Sequence, residues 1–252
     1  MEEKHLKHFE RWQDRDEVVG ALICGSYVTG HPSERSEIDV HIILSNDVTW
    51  QERGNQIIDG FLIEYFANPS GQIWRYFQDD LNKHRTMAMV QFQTGHILFD
   101  YTGIINELKI EAYAWLEKIY ETINKTVLEI KKYGLWDMLD NVKDCYEQKR
   151  GDFICVYHNA LASLLMENGQ FLNVYTIPSY QIHAYLVDPL YLQKYMKSAF
   201  PDERLKQMFL HALKENKAEQ MLESLETLVS YVLQQMGGFC IDGWHVKSPI
   251  EG

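Results

Sequence analysis

From Glu37 to Leu44 the chain reads Glu-Ile-Asp-Val-His-Ile-Ile-Leu, and this stretch constrains the fold more than any other. Only a strand, with its period of two, sorts it cleanly: Glu37, Asp39 and His41 project from one face, Ile38, Val40, Ile42 and Leu44 from the other. Two carboxylates side by side on an otherwise apolar strand repel each other and resist burial. The arrangement makes sense if a divalent cation sits between them. A chain of 252 residues with 46% hydrophobic and 24% charged residues can bury a sizeable core around such a strand, and its composition excludes a disordered, collagenous or disulfide-stapled protein.

The surrounding sequence divides by texture. Two further strands are expected, at Val18 to Cys24 and Phe61 to Ala67, the second followed by Asn68-Pro69. A last short strand is expected at His96 to Asp100. Helices are expected over His5 to Arg15 and Gln72 to Thr94. Beyond Tyr101-Thr102-Gly103, apolar residues recur every three or four positions through Ile104, Leu108, Ala112, Trp115, Ile119, Ile123, Val127 and Ile130, which predicts one long amphipathic helix. Asp152 to Asn168 and Lys217 to Met236 continue the helical regime, the latter stopping at Gly237-Gly238. The expected organisation is α+β: a mixed-sheet domain over residues 1–103, then an all-helical domain over 104–252.

Charge narrows the partners. With 36 Asp and Glu against 24 Lys and Arg the formal net charge is -12, which repels a nucleic-acid polymer. No apolar run is long enough to span a membrane, and the first residues lack the apolar core of a secretion signal, so a cytoplasmic location is expected. Cys24, Cys145, Cys155 and Cys240 have no paired metal-binding spacing and read as small hydrophobes or bystander thiols.

Ahead of the carboxylates, Ala21-Leu22-Ile23-Cys24 runs into Gly25-Ser26. A strand that ends in Gly lets a phosphate approach the backbone, and Ser26 is placed to cap a following helix whose free N–H groups favour an anion. The series Gly25-Ser26-Tyr27-Val28-Thr29-Gly30, then Ser36-Glu37-Ile38-Asp39, resembles in order and spacing the signature of the nucleotidyltransferase superfamily with the DNA polymerase β-like fold. Within it, the chain looks like the bacterial aminoglycoside and lincosamide nucleotidyltransferases, which join this domain to a helical one. The motif resemblance covers about residues 18 to 67; over the helical half it rests on architecture.

The resemblance implies that Gly25 and Ser26 hold the phosphates of a nucleoside triphosphate, with ATP the expected co-substrate. It implies that Glu37 and Asp39 bind Mg²⁺ or Mn²⁺. A third carboxylate is expected from a later strand, and Glu64 is the candidate, sharing a face with Leu62 and Phe66; it would complete the metal site or take the proton of the attacking hydroxyl. The implied product is a nucleoside monophosphate ester of a small hydroxyl-bearing acceptor, and a homodimer is a further expectation. Two residues depart from the pattern: Glu37 stands where the family has Asp, and Thr29 where it usually has Arg. The alternatives are a nucleotide-binding module with weak or no catalysis, and an enzyme that nucleotidylates a protein. His41 on the carboxylate face, the Arg150 and His158 pair, and the tyrosines 157, 175, 180, 185, 191 and 195 are weaker candidates. Glu111, Asp144 and Glu167 are acceptor-side possibilities.

Overall fold

A computed structural model describes residues 10–30, 32–175 and 177–247. The chain folds as two compact units, Met1–Ile119 with Leu192–Lys197, and Tyr120–Tyr191 with Ser198–Gly252. The fold is mixed α+β.

The first unit contains, in order, α1 (Glu10–Gln13), β1 (Val18–Cys24), α2 (Ser26–Thr29), β2 (Ile38–Leu44), β3 (Glu52–Ile58), β4 (Phe61–Pro69), α3 (Ser70–Asn82), α4 (Met87–Thr94), β5 (His96–Asp100) and α5 (Ile104–Leu116). The sheet runs β3-β4-β2-β1-β5. β2 pairs with β4 in parallel and with β1 antiparallel, while β3 and β5 close the two edges antiparallel. β2 is therefore central, and Val40 through Leu44 are all buried. One side of the sheet packs Ile38, Val40, Ile42, Leu44, Ile63 and Ala67 with Trp12. On the other, Leu22 and Ile43 meet the α3, α4 and α5 side chains Ile73, Phe77, Phe92 and Leu108. The expected alternation of β2 thus holds only to Asp39, because the helices bury the carboxylate-bearing face beyond it.

Two long helical runs are broken. The expected helix over Gln72 to Thr94 is α3 and α4 separated by a turn, with His84 at φ 52. Asp80 makes the break: its main-chain carbonyl accepts from Arg85 N at 2.7 Å, and its carboxylate accepts from Ala88 N at 2.8 Å. The run from Ile104 to Ile130 also divides. α5 ends at Leu116, and a new helix starts where the Asn124 side chain accepts from Val127 N at 2.9 Å, a side-chain cap that satisfies a first-turn amide. Ile119, counted in the apolar stripe, is 87% exposed. The expected junction near residue 103 is the loop before α5, which Asp100 organises by accepting from Gly103 N and Ile105 N. The packing of α5 against the sheet puts the division between units at Ile119/Tyr120. The helix expected over His5 to Arg15 falls partly outside the described residues, where α1 alone is seen.

Lys109 of α5 closes the end of α4. Its Nζ donates to the carbonyls of Phe92 (3.2 Å), Gln93 (3.1 Å) and Gly95 (2.6 Å), groups that a helix C-terminus otherwise leaves without partners. Lys109→Met is expected to cost about 1.5–3 kcal/mol, the range for hydrogen bonds to a charged donor. The check is urea denaturation; an unchanged midpoint would show that water serves these carbonyls equally well.

The described elements of the second unit are helices: α6 (Lys125–Glu147), α7 (Phe153–Phe171), α8 (Ile182–Val187), α10 (Glu203–Ala212) and α11 (Ala218–Gln235), with α9 (Pro189–Lys194) leading back to the first unit. Phe153, Ala160, Leu161, Leu164 and Leu165 form the buried stripe of α7; Met221, Leu225, Leu228 and Val232 form that of α11. Tyr157, Tyr185 and Tyr191 are core residues, 8% exposed or less. No helix among the described residues is long and apolar enough to cross a membrane.

Candidate active site

β1 and β2 bring the motif together. Cys24 pairs with Asp39 across the antiparallel ladder, and Asp39 pairs with Glu64 across the parallel one. Residues opposite each other in a sheet point to the same side, so Asp39 and Glu64 are held as neighbours by register alone. Glu37, just before β2, adds a third group. Glu37, Asp39 and Glu64 each offer a ligand atom, and these lie within 4.8 Å of one another. Hard oxygen donors at this spacing suit Mg²⁺ or Mn²⁺, so the residues present fit the implied metal. The extra methylene of Glu37 does not keep it out of the cluster.

The electrostatics are those of an anionic site only partly compensated by nearby cations. Burial, then the charges of Glu37 and Glu64, push the Asp39 carboxyl up from 3.8 to about 7. Arg53 and Lys194 act in the opposite direction. Arg53, on β3, donates to Glu64 Oε1 from Nε at 3.2 Å and from Nη2 at 2.6 Å. Lys194 belongs to the segment Leu192–Lys197 that joins the first unit. Its own pKa is lowered by burial and partly restored by Asp39. Neither cation was expected from the sequence. Arg53 lies on a strand whose polar, edge-exposed pattern hid it, and Lys194 is distant in sequence from every motif.

Gly25 turns the chain at φ 84, ψ -163, a region open essentially to Gly alone. A Cβ built there would run into the Asp39 carboxylate. The glycine is thus required both by its backbone and by the group beside it. Ser26 was expected to cap the helix that follows; instead Gly25 occupies the N-cap, Ser26 is the first helical residue, and no side chain caps the turn. α2 is a single turn, too short for a substantial dipole. What it offers an anion is the set of first-turn amides that lack intrahelical acceptors. Thr29 Oγ1 donates back to the Gly25 carbonyl at 3.3 Å and closes the turn.

The weaker candidates lie elsewhere. His41 is 6% exposed, with Nε2 3.3 Å from Gln91 Oε1 and its ring against Phe66 and Phe92. Burial lowers its pKa to about 4, so it is a neutral packing residue. Arg150 pairs with Asp152 at 2.6 Å, and His158 is exposed. Glu167 pairs with Lys131, Asp144 accepts from Gln148, and Glu111 accepts from Trp115. Cys24 and Cys145 are buried, Cys155 and Cys240 exposed, and all are free thiols.

No family model matches the chain, and no curated protein matches it. Among solved structures, it is similar to a nucleotidyltransferase-like protein from Exiguobacterium sibiricum 255-15. That likeness has a TM-score of 0.49 and 11% identity, covering 92% of this chain and 74% of the other.

Proposed function

We propose that this protein is a metal-dependent nucleotidyltransferase that moves a nucleoside monophosphate from an NTP, ATP first, to a hydroxyl of a small acceptor. Aminoglycoside-like and lincosamide-like antibiotics are the first acceptors to test. The observation that carries the reading is the convergence of Glu37, Asp39 and Glu64 beside Gly25. When bound, Mg²⁺ or Mn²⁺ supplies neutralising charge to the phosphates and to the departing pyrophosphate. Glu37 and Asp39 hold it. The turn at Gly25 and Ser26 presents backbone amides to the phosphate chain, with no Cβ in the way. The acceptor oxygen bonds to the α-phosphorus while the bond to the bridging oxygen breaks, and Glu64 either completes the metal site or takes the hydroxyl proton. Arg53 donates to Oε1 of Glu64 from the neighbouring strand.

Pyrophosphate release, measured for each NTP over an acceptor panel with and without Mg²⁺, tests the reading directly. Absence of release above background from folded protein would overturn it. Metal binding has a pH signature of its own. Because Asp39 titrates near 7 and must be ionised to hold a cation, Mn²⁺ is expected to raise the melting temperature at pH 8 and to lose most of this effect by pH 5.5. At a hundredfold excess over Kd the stabilisation at pH 8 is about 2.7 kcal/mol. A shift of equal size at both pH values would place the metal elsewhere.

A further inference from the structure

Arg53 is engaged and yet poised to leave. Its Nε and Nη2 both donate to one oxygen of Glu64, so much of the five-donor guanidinium fork remains unused. The guanidinium lies over the Phe66 ring, 4.9 Å from its centroid, and Phe66 in turn stacks on the buried His41. A flat aromatic platform supports a guanidinium in more than one orientation. The two partners differ in access: the Arg53 side chain is 67% exposed, the Glu64 side chain 17%. An ion pair with one member that open to water contributes little to stability and is readily exchanged. A divalent cation drawing on three carboxylates competes for the same oxygen with twice the charge.

We infer that Arg53 is a displaceable counter-ion: its guanidinium sits on Glu64 while the carboxylates hold no cation, and turns to the anionic phosphate chain of a nucleotide when a divalent ion takes its place. The inference rests on the nucleotidyltransferase reading above. It gives one side chain two opposed effects, hindering the bare metal and helping the nucleotide. A cross-strand ion pair with a purely structural role lacks the second effect. The site thereby carries compensating positive charge before any ligand arrives, and the same charge is reused on the ligand.

The test compares the full-length protein with Arg53→Gln and Arg53→Lys, in two titrations. The first follows Mn²⁺ alone by electron paramagnetic resonance; the second follows a non-hydrolysable NTP analogue at saturating Mn²⁺ by calorimetry. For Arg53→Gln, Mn²⁺ is expected to bind about threefold or more tighter without nucleotide, and the analogue about tenfold or more weaker, in keeping with loss of a charge-assisted phosphate contact. Arg53→Lys, which keeps the charge and loses the fork, is expected to fall between. Unchanged analogue affinity, or weaker Mn²⁺ binding in Arg53→Gln, overturns the inference and leaves the nucleotidyltransferase reading standing. Failure of the unaltered protein to bind either ligand overturns both.

Discussion

Asp39→Asn is expected to abolish pyrophosphate release and, in the same protein, to raise stability at pH 8. The first effect follows from the metal: losing one of its anionic holders removes several kcal/mol of charge stabilisation in the transition state. At a factor of ten per 1.36 kcal/mol, that is about a thousandfold or more in rate. The second follows from the direction of the Asp39 shift. Its folded pKa, about 7, lies above the unfolded value of 3.8. Between these values the folded state holds a proton that the unfolded state has released, so stability falls as pH rises through this window and the penalty is complete above pH 7. Asn is nearly isosteric and carries no charge. Allowing for solvent screening at a half-buried group, it should restore about 2 kcal/mol at pH 8 and almost nothing at pH 4. Thermal denaturation at the two pH values reads this directly. A variant that loses activity and also melts earlier at pH 8 would show that the carboxylate supports the fold.

Gly25→Ala is expected to damage the same site from the backbone side. The residue holds φ 84, where any Cβ is strained, at a cost of order 1–3 kcal/mol. Its Cβ must also displace the Asp39 carboxylate. We expect a lower urea midpoint together with Mn²⁺ affinity reduced about tenfold or more, because a metal site loses affinity when one ligand is pushed off its position. Gly30→Ala is a control with milder backbone strain and no contact: Gly30 holds φ 88, ψ 8 in the left-handed helical region, and a Cβ there meets nothing within 4 Å, so it should lose less stability and keep its affinity for metal. Unchanged metal affinity in Gly25→Ala would show that the contact with Asp39 does not set the position of the carboxylate.

Much of the sheet was legible in the sequence because β1, β2, β4 and β5 are apolar runs ended by Gly, Asn-Pro or a turn. The observed β1 and β5 bounds, Val18–Cys24 and His96–Asp100, coincide with the expected ones. β3 was not legible: Glu52–Ile58 is an edge strand with only alternate residues half-buried, and its apolar share is too small to give a period-two signal. Missing β3 meant missing Arg53. The helix breaks were missed for a different reason. Apolar spacing continues through both, and each is decided by a side chain, Asp80 or Asn124, that binds backbone amides at a new helix start. The carboxylate trio was legible because sheet register converts a two-residue spacing and a neighbouring strand into proximity. Lys194 was not, since nothing local says that a helical segment returns to the sheet unit.

That return has a consequence for how the protein is made. The chain passes between the two units at three points, after Ile119, after Tyr191 and after Lys197. The residues that bring Lys194 to bear on Asp39, and that let Lys197 donate to Thr86 at 3.2 Å, are thus synthesised long after the sheet. A nascent chain released only as far as Ile119 carries all three carboxylates without one of the cations that restrain them. Completion of the first unit must wait on the ribosome for most of the second, and a fragment ending at Ile119 is for the same reason an electrostatically unfinished protein.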